Sequence, residues 1–175
     1  MPRNSLTTML AAIALPVLAQ SAFAETPALD QLPAALKPAG MSVYLEVPAA
    51  GVQVYTCGKN GAGAWAWNFK GPEAELFDTQ KKKIGKHYGG PTWEGSDGGK
   101  VVAAVKANAP APGGNAVPWL LLDVKASEGS GQFTQAKAIL RVSTTAGTAP
   151  AQGCDEANAN RESRVDYTAV YLFLK

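Results

Sequence analysis

Histidine and cysteine are nearly missing from this chain: among its 175 residues there is one His, His87, and there are two Cys, Cys57 and Cys154. One imidazole cannot supply a His-rich zinc centre, and two cysteines without C-x-x-C spacing cannot supply a Cys-rich one, so no metal is expected. The Asp/Asn spacing does not make an EF-type calcium loop either. A serine nucleophile would have only His87 as base, and no G-x-S-x-G elbow occurs. The Gly-rich pieces GKNGAGAW and SDGGK lie between strand-like runs and lack both Walker and dinucleotide spacing, so no cofactor is expected. Charge of one sign is also lacking: 16 Lys and Arg oppose 14 Asp and Glu, a net charge of +2 that makes no field to draw nucleic acid or a membrane surface. Beyond residue 24 no apolar run approaches the ~18 residues of a membrane helix, so no membrane anchor is expected once the first segment is gone.

That first segment has the grammar of a secretory signal. Arg3 gives a positive start, Leu6 to Leu18 an apolar run, and Ala22-Phe23-Ala24 a cleavage site, so residues 1–24 are expected to be removed and the product to be exported, periplasmic or extracellular. Residues 25–40 carry three prolines without a sustained period and read as a Pro-rich leader lying along a single β domain, 41–175. About 150 residues suit one domain with a sizeable core. In an oxidising compartment an even cysteine count is expected to pair, which makes Cys57–Cys154 a disulfide rather than two reactive thiols.

From Met41 the texture is period two. Short runs of Val, Ile, Leu, Tyr and Trp are separated by Gly, Pro, Asn or Asp, and no helix of ten residues is suggested. Strands are expected at 43–47, 52–57, 64–69, 73–78, 84–88, 92–94, 100–106, 118–125, 136–142 and 164–174. Pro48 to Gly51 and Gly71-Pro72 read as breaks. The expected fold is therefore all-β, a single antiparallel barrel or sandwich of about nine or ten strands closed by one disulfide. Trp65, Trp67 and Phe69 share a face and are expected in the core. On the strand expected at 118–125 Leu120, Leu122 and Val124, with Ala126 just beyond it, are expected to face inward and Trp119 outward. The last strand is apolar on both faces, which places it within a sheet.

Residues 71–105 concentrate the chemistry: the only His, a Trp, several carboxylates and most turn residues. His87 is the sharpest single candidate, because an imidazole can act as acid, base or ligand near neutral pH. Tyr88, Trp93, Glu94 and Asp97 stand close to it in sequence. Trp93 offers a stacking face, and Glu94 with Asp97 offers acceptors or, at a separation of roughly 5–5.5 Å or 6.5–9.5 Å, the carboxylate pair of a glycosidase. Asp97-Gly98-Gly99 also has the composition of an ordinary turn. Lys81-Lys82-Lys83 with Lys86 reads as a solvated turn.

The blocks GVQVYTC at 51–57, PEAELFD at 72–78, KIGKHYGGPTWEGSDGGKVV at 83–102, PWLLLDVKASEGSGQF at 118–133, ILRVSTTAGTAPAQGC at 139–154 and VDYTAVYLF at 165–173 resemble the uncharacterised family called domain of unknown function 3455. The resemblance implies exported proteins with a β-rich domain, two cysteines placed as here, and no agreed activity. The reading favoured by the residues is a non-enzymatic binding domain for a small polar molecule, a glycan or an exported protein partner. Its expected site is His87, Tyr88, Trp93, Glu94 and Asp97, with Trp119 and Arg141 as neighbours. The alternatives are a carbohydrate-active hydrolase using the Glu94 and Asp97 pair, and an inhibitor of a cell-wall enzyme.

Overall fold

The structure, a computed structural model, describes residues 26–175; the signal segment expected at 1–24 lies outside the described residues. Eight antiparallel strands follow one another round a closed barrel, and the last returns to pair with the first. They are β1 (Val43–Lys59), β2 (Trp65–Phe77), β3 (Lys83–Tyr88), β4 (Thr92–Gly95), β5 (Lys100–Ala109), β6 (Trp119–Glu128), β7 (Ala138–Ala146) and β8 (Glu162–Leu174). Closure leaves the sheet with no long unpaired edge, and it explains why β8 can be apolar on both faces.

The strand number is smaller than the nine or ten expected because two apparent breaks lie inside continuous strands. Pro48 stands one residue outside the β1–β2 ladder, which begins at Ala49↔Leu76, and Pro72 stands one residue outside the β2–β3 ladder, which ends at Glu73↔Tyr88. At such positions the missing N–H costs the sheet little. Gly51 is a site of close approach, since a Cβ there would sit 2.2 Å from the Glu73 carbonyl oxygen. Between Val54↔Gly71 and Tyr55↔Phe69 one residue of β2, Lys70, is left over, and this bulge bends the strand without ending it.

Alternation divides the apolar residues into two layers. Inside the barrel lie Val47, Ala49, Leu76, Trp93, Val101, Leu122, Ile139, Tyr171 and Phe173. Outside it, Trp119, Leu121, Leu140, Val142, Leu172 and Leu174 pack with Leu32 and Leu36, carried on two short 3-10 turns of the leader at Leu29–Gln31 and Ala34–Leu36. Another 3-10 turn, Gln132–Gln135, closes one end of the barrel: Phe133 is fully buried, stacks on Phe173 at 4.7 Å, and its carbonyl accepts from the Tyr44 hydroxyl.

At the other end the β1–β2 hairpin runs on past the body of the barrel. Trp65, Trp67 and Phe69, expected in the core, are instead on this extension, where β2 has no pairing to β3; Phe69 is 57% exposed, and Trp65 and Trp67 are only partly buried. The Trp67 indole N–H donates to the Gln152 carbonyl at 2.9 Å. Beside it the expected disulfide joins Cys57, at the end of β1, to Cys154 in the loop before β8, with Cα atoms 5.3 Å apart.

Candidate functional site

The closed end is filled with side chains, but the open end is not. Between the plug and the hairpin extension a cavity of about 250 Å³ opens into the barrel, with Phe69 and the 51%-exposed Val105 among its lining residues and His87, Trp93, Arg141, Gln53 and Tyr171 among the deeper ones. At about 30 Å³ per molecule of liquid water, the space equals roughly eight waters, so an occupant would be ring-sized.

His87 reaches this cavity because it sits on the inward register of β3, opposite Trp93 of β4. The rings stack at 4.3 Å, and the edge of Tyr171 closes on both, 4.9 Å from His87 and 5.2 Å from Trp93. Since the Thr92 carbonyl 2.8 Å away can only accept, His87 Nδ1 carries the proton and Nε2 is the acceptor. Burial drives the His87 pKa down to about 3, with the Arg141 charge acting in the same direction and the Thr92 hydrogen bond against it. The imidazole is therefore neutral through the physiological range and is not a pH-sensitive donor.

Arg141 enters from β7, facing inward with Ile139, and is paired in register with Tyr171 of β8 and Leu120 of β6. Although only 9% exposed, it forms no ion pair among the described residues. Its Nε and Nη2 donate to the Pro118 carbonyl at 3.1 and 2.8 Å, which fixes the plane of the guanidinium. A buried charge without an opposite partner is costly to fold around, and such a group commonly marks a site. Close to it the Tyr167 and Tyr171 hydroxyls lie 3.3 Å apart. Burial raises both phenols, so they stay protonated and able to donate. Of the buried donors, Trp93 Nε1 faces this lining without a hydrogen-bond partner, as Trp119 Nε1 does in the outer layer, while Gln53 Nε2 lies beside the Tyr167 hydroxyl at the edge of hydrogen-bonding geometry. Such a group costs about 1–3 kcal/mol when left unpaired, and one in the lining of a cavity points to an occupant or ordered water.

The other residues expected at the site go elsewhere. Tyr88 and Glu94 take the opposite, outward face of β3 and β4, where the Tyr88 hydroxyl donates to Glu94 at 2.8 Å and Lys86 pairs with Glu94 at 3.1 Å. The Tyr88 hydrogen bond, then Lys86, holds the Glu94 carboxyl below the usual range, the wrong direction for a general acid. Lys86 and Glu94 belong to an outer belt of alternating sign that runs Glu75, Lys86, Glu94, Lys100, Glu128 through consecutive cross-strand pairs. Asp97 is a turn residue: its carboxylate accepts from the Gly99 and Gln132 amides at 3.2 and 2.8 Å, and a Cβ at Gly95 or Gly131 would collide with it. Trp119 faces the leader in the outer layer. One face of Trp93 is already covered by His87, so it is not an open stacking platform.

Gln53, Tyr55 and Tyr171 were not singled out from the sequence. A signal existed for Gln53: a polar residue on the same alternation as Val47 and Ala49 must be inside the barrel and needs a reason to be there. Among the described residues no three His, Cys, Asp or Glu side chains gather where they could hold a metal, and no helix is long and apolar enough to cross a membrane.

Fold and cavity together define, for the described residues, a closed, eight-stranded up-and-down β barrel, plugged at one end and opening at the other onto a small cavity with one buried cation. The chain belongs to the family described as "Protein of unknown function (DUF3455)", whose pattern it matches over residues 38–175. No curated protein and no solved structure matches it.

Proposed function

We propose that this protein is an exported, non-enzymatic binding barrel that takes a small molecule into its open end. The observation that carries the reading is the cavity itself: an apolar mouth leading to polar groups with unused hydrogen-bonding capacity, the arrangement of small-ligand sites in other closed barrels. Binding is favoured over turnover because the described lining residues include no carboxylate, His87 is held neutral by burial, and Glu94 and Asp97 are engaged in the outer belt and in a turn. Export is supported by the disulfide and by the signal-like first 24 residues.

The test is a thermal-shift screen of the oxidised protein against small acids, sugars and ring compounds, run beside Leu120→Trp, which places bulk in the cavity. A ligand at 100 times its Kd adds about 2.7 kcal/mol to stability. A shift in the natural protein that Leu120→Trp loses, with its circular dichroism unchanged, supports the reading. A shift that Leu120→Trp retains would move the site out of the barrel.

A further inference from the structure

We infer that the cavity receives a small organic carboxylate with an apolar, ring-sized body, held at its base by the Arg141 guanidinium. The inference rests on the cavity being a binding site and adds the class of ligand.

Three observations lead to it. First, among the described residues the cavity lining includes a cation and no carboxylate, and Arg141 is the residue that carries the charge. A guanidinium has five N–H donors in a planar fork, and the Pro118 carbonyl with the neighbouring Tyr171 hydroxyl neither uses them all nor balances the charge. The planar, bidentate partner that matches this fork is a carboxylate or a phosphate. Second, the groups beside it are neutral donors: the Tyr171 hydroxyl lines the same space, and a protonated phenol can add a hydrogen bond to an anion without repelling it. One positive charge in an otherwise uncharged lining is balanced by a monoanion, which favours a carboxylate over a phosphate dianion. Third, the rest of the lining includes Phe69, Pro72, Val105, Leu120 and Leu122, of which Phe69 and Val105 are exposed, so the part of the ligand behind its charged group meets apolar surface. A bare inorganic anion would leave that surface unused.

The probes are phenylacetate, its neutral isostere phenylacetamide, and inorganic phosphate, titrated by calorimetry into the oxidised protein and into Arg141→Gln and Arg141→Lys. Phenylacetate is expected to bind at least tenfold more tightly than phenylacetamide and than phosphate. Arg141→Gln should remove the preference for the acid, and Arg141→Lys should keep part of it, since the charge remains and the fork is lost. If Arg141→Gln fails to fold, the acid and amide comparison on the natural protein decides alone. Equal affinity for acid and amide would overturn the carboxylate assignment and leave the binding barrel standing. Phosphate binding as tightly as phenylacetate would overturn the apolar body. Binding by none of the three would overturn the inference, whereas the wider screen above tests the barrel reading separately.

Discussion

His87 is the only histidine in the chain, and its burial makes it a reporter of how the barrel responds to acid. Its pKa falls from the ordinary 6.5 to about 3 in the folded state, so below 6.5 the unfolded chain binds a proton that the native protein refuses. Stability therefore drops as pH falls from about 6.5 towards 3, by up to ~1.4 kcal/mol per pH unit. Carboxylates whose folded pKa is lowered, Glu73 and Glu94, start from 4.5 and lose their contribution only below that value. The window between about pH 6.5 and 4.5 is left to His87. Chemical denaturation at pH 7, 6 and 5 should show a falling free energy in the natural protein and a nearly flat one in His87→Gln; an unchanged slope in the variant would mean the imidazole is solvated. The residue's importance was legible from composition, because a single His in a strand draws attention. Its neutrality was not, because desolvation depends on the barrel closing over it, and nothing in KIGKHYGG says which neighbours will do so.

At the scale of a strand, the two faces of a barrel have different tolerances for added volume. Gly51 lies where β1 and β2 cross so closely that a Cβ would meet the Glu73 carbonyl oxygen at 2.2 Å and Ala74 Cα at 2.5 Å, both backbone atoms that cannot swing away. Gly58, further along β1 on the hairpin extension, has only the Asn68 side-chain nitrogen at 3.5 Å. Gly51→Ala is expected to destabilise by about 1–3 kcal/mol or more, as overpacking does, while Gly58→Ala should change stability by less than about 1 kcal/mol. Urea denaturation of the pair checks this, and equal effects would mean that the crossing relaxes freely. The same glycine shows how far sequence reasoning carried and where it stopped. Period-two alternation found a strand-like run at each of the eight strands and told inside from outside on β6, since that pattern is local. Gly51 and Pro48 were read as a turn, because a bend within a long strand and a loop between two short ones use the same residues and differ only in what packs against them. The aromatic run at 65–69 misled for a related reason: alternation says that Trp65, Trp67 and Phe69 share a face, but not that this part of β2 has outrun its neighbour β3.

Across the whole molecule the ring is closed by the pairing of its first and last strands, and the disulfide reinforces that closure at the open end. Cys57 belongs to β1 and Cys154 to the loop feeding β8, 97 residues apart in sequence. The loop they tie down also receives a hydrogen bond from the Tyr55 hydroxyl, 2.7 Å from the Gly147 carbonyl, and Gly147 packs against Tyr167, Gln53 and Val117. Bridge, loop and cavity wall are thus one connected piece. In the chain-entropy account a closed loop near 100 residues is worth about 4.7 kcal/mol, and removing a native bridge from a small domain costs 2–5 kcal/mol. Cys57→Ser with Cys154→Ser should therefore lower the free energy of unfolding by about that amount. If the bridge acts on the unfolded chain alone, any ligand affinity measured in folded protein will survive the double substitution. If it also holds the 147–160 loop against Gln53, affinity will fall with stability and hydrogen exchange will quicken in that loop while β4 and β5 keep their protection. Unchanged stability would mean that strand closure, from Val43↔Leu174 to Thr56↔Glu162, already fixes the ends of the chain without covalent help.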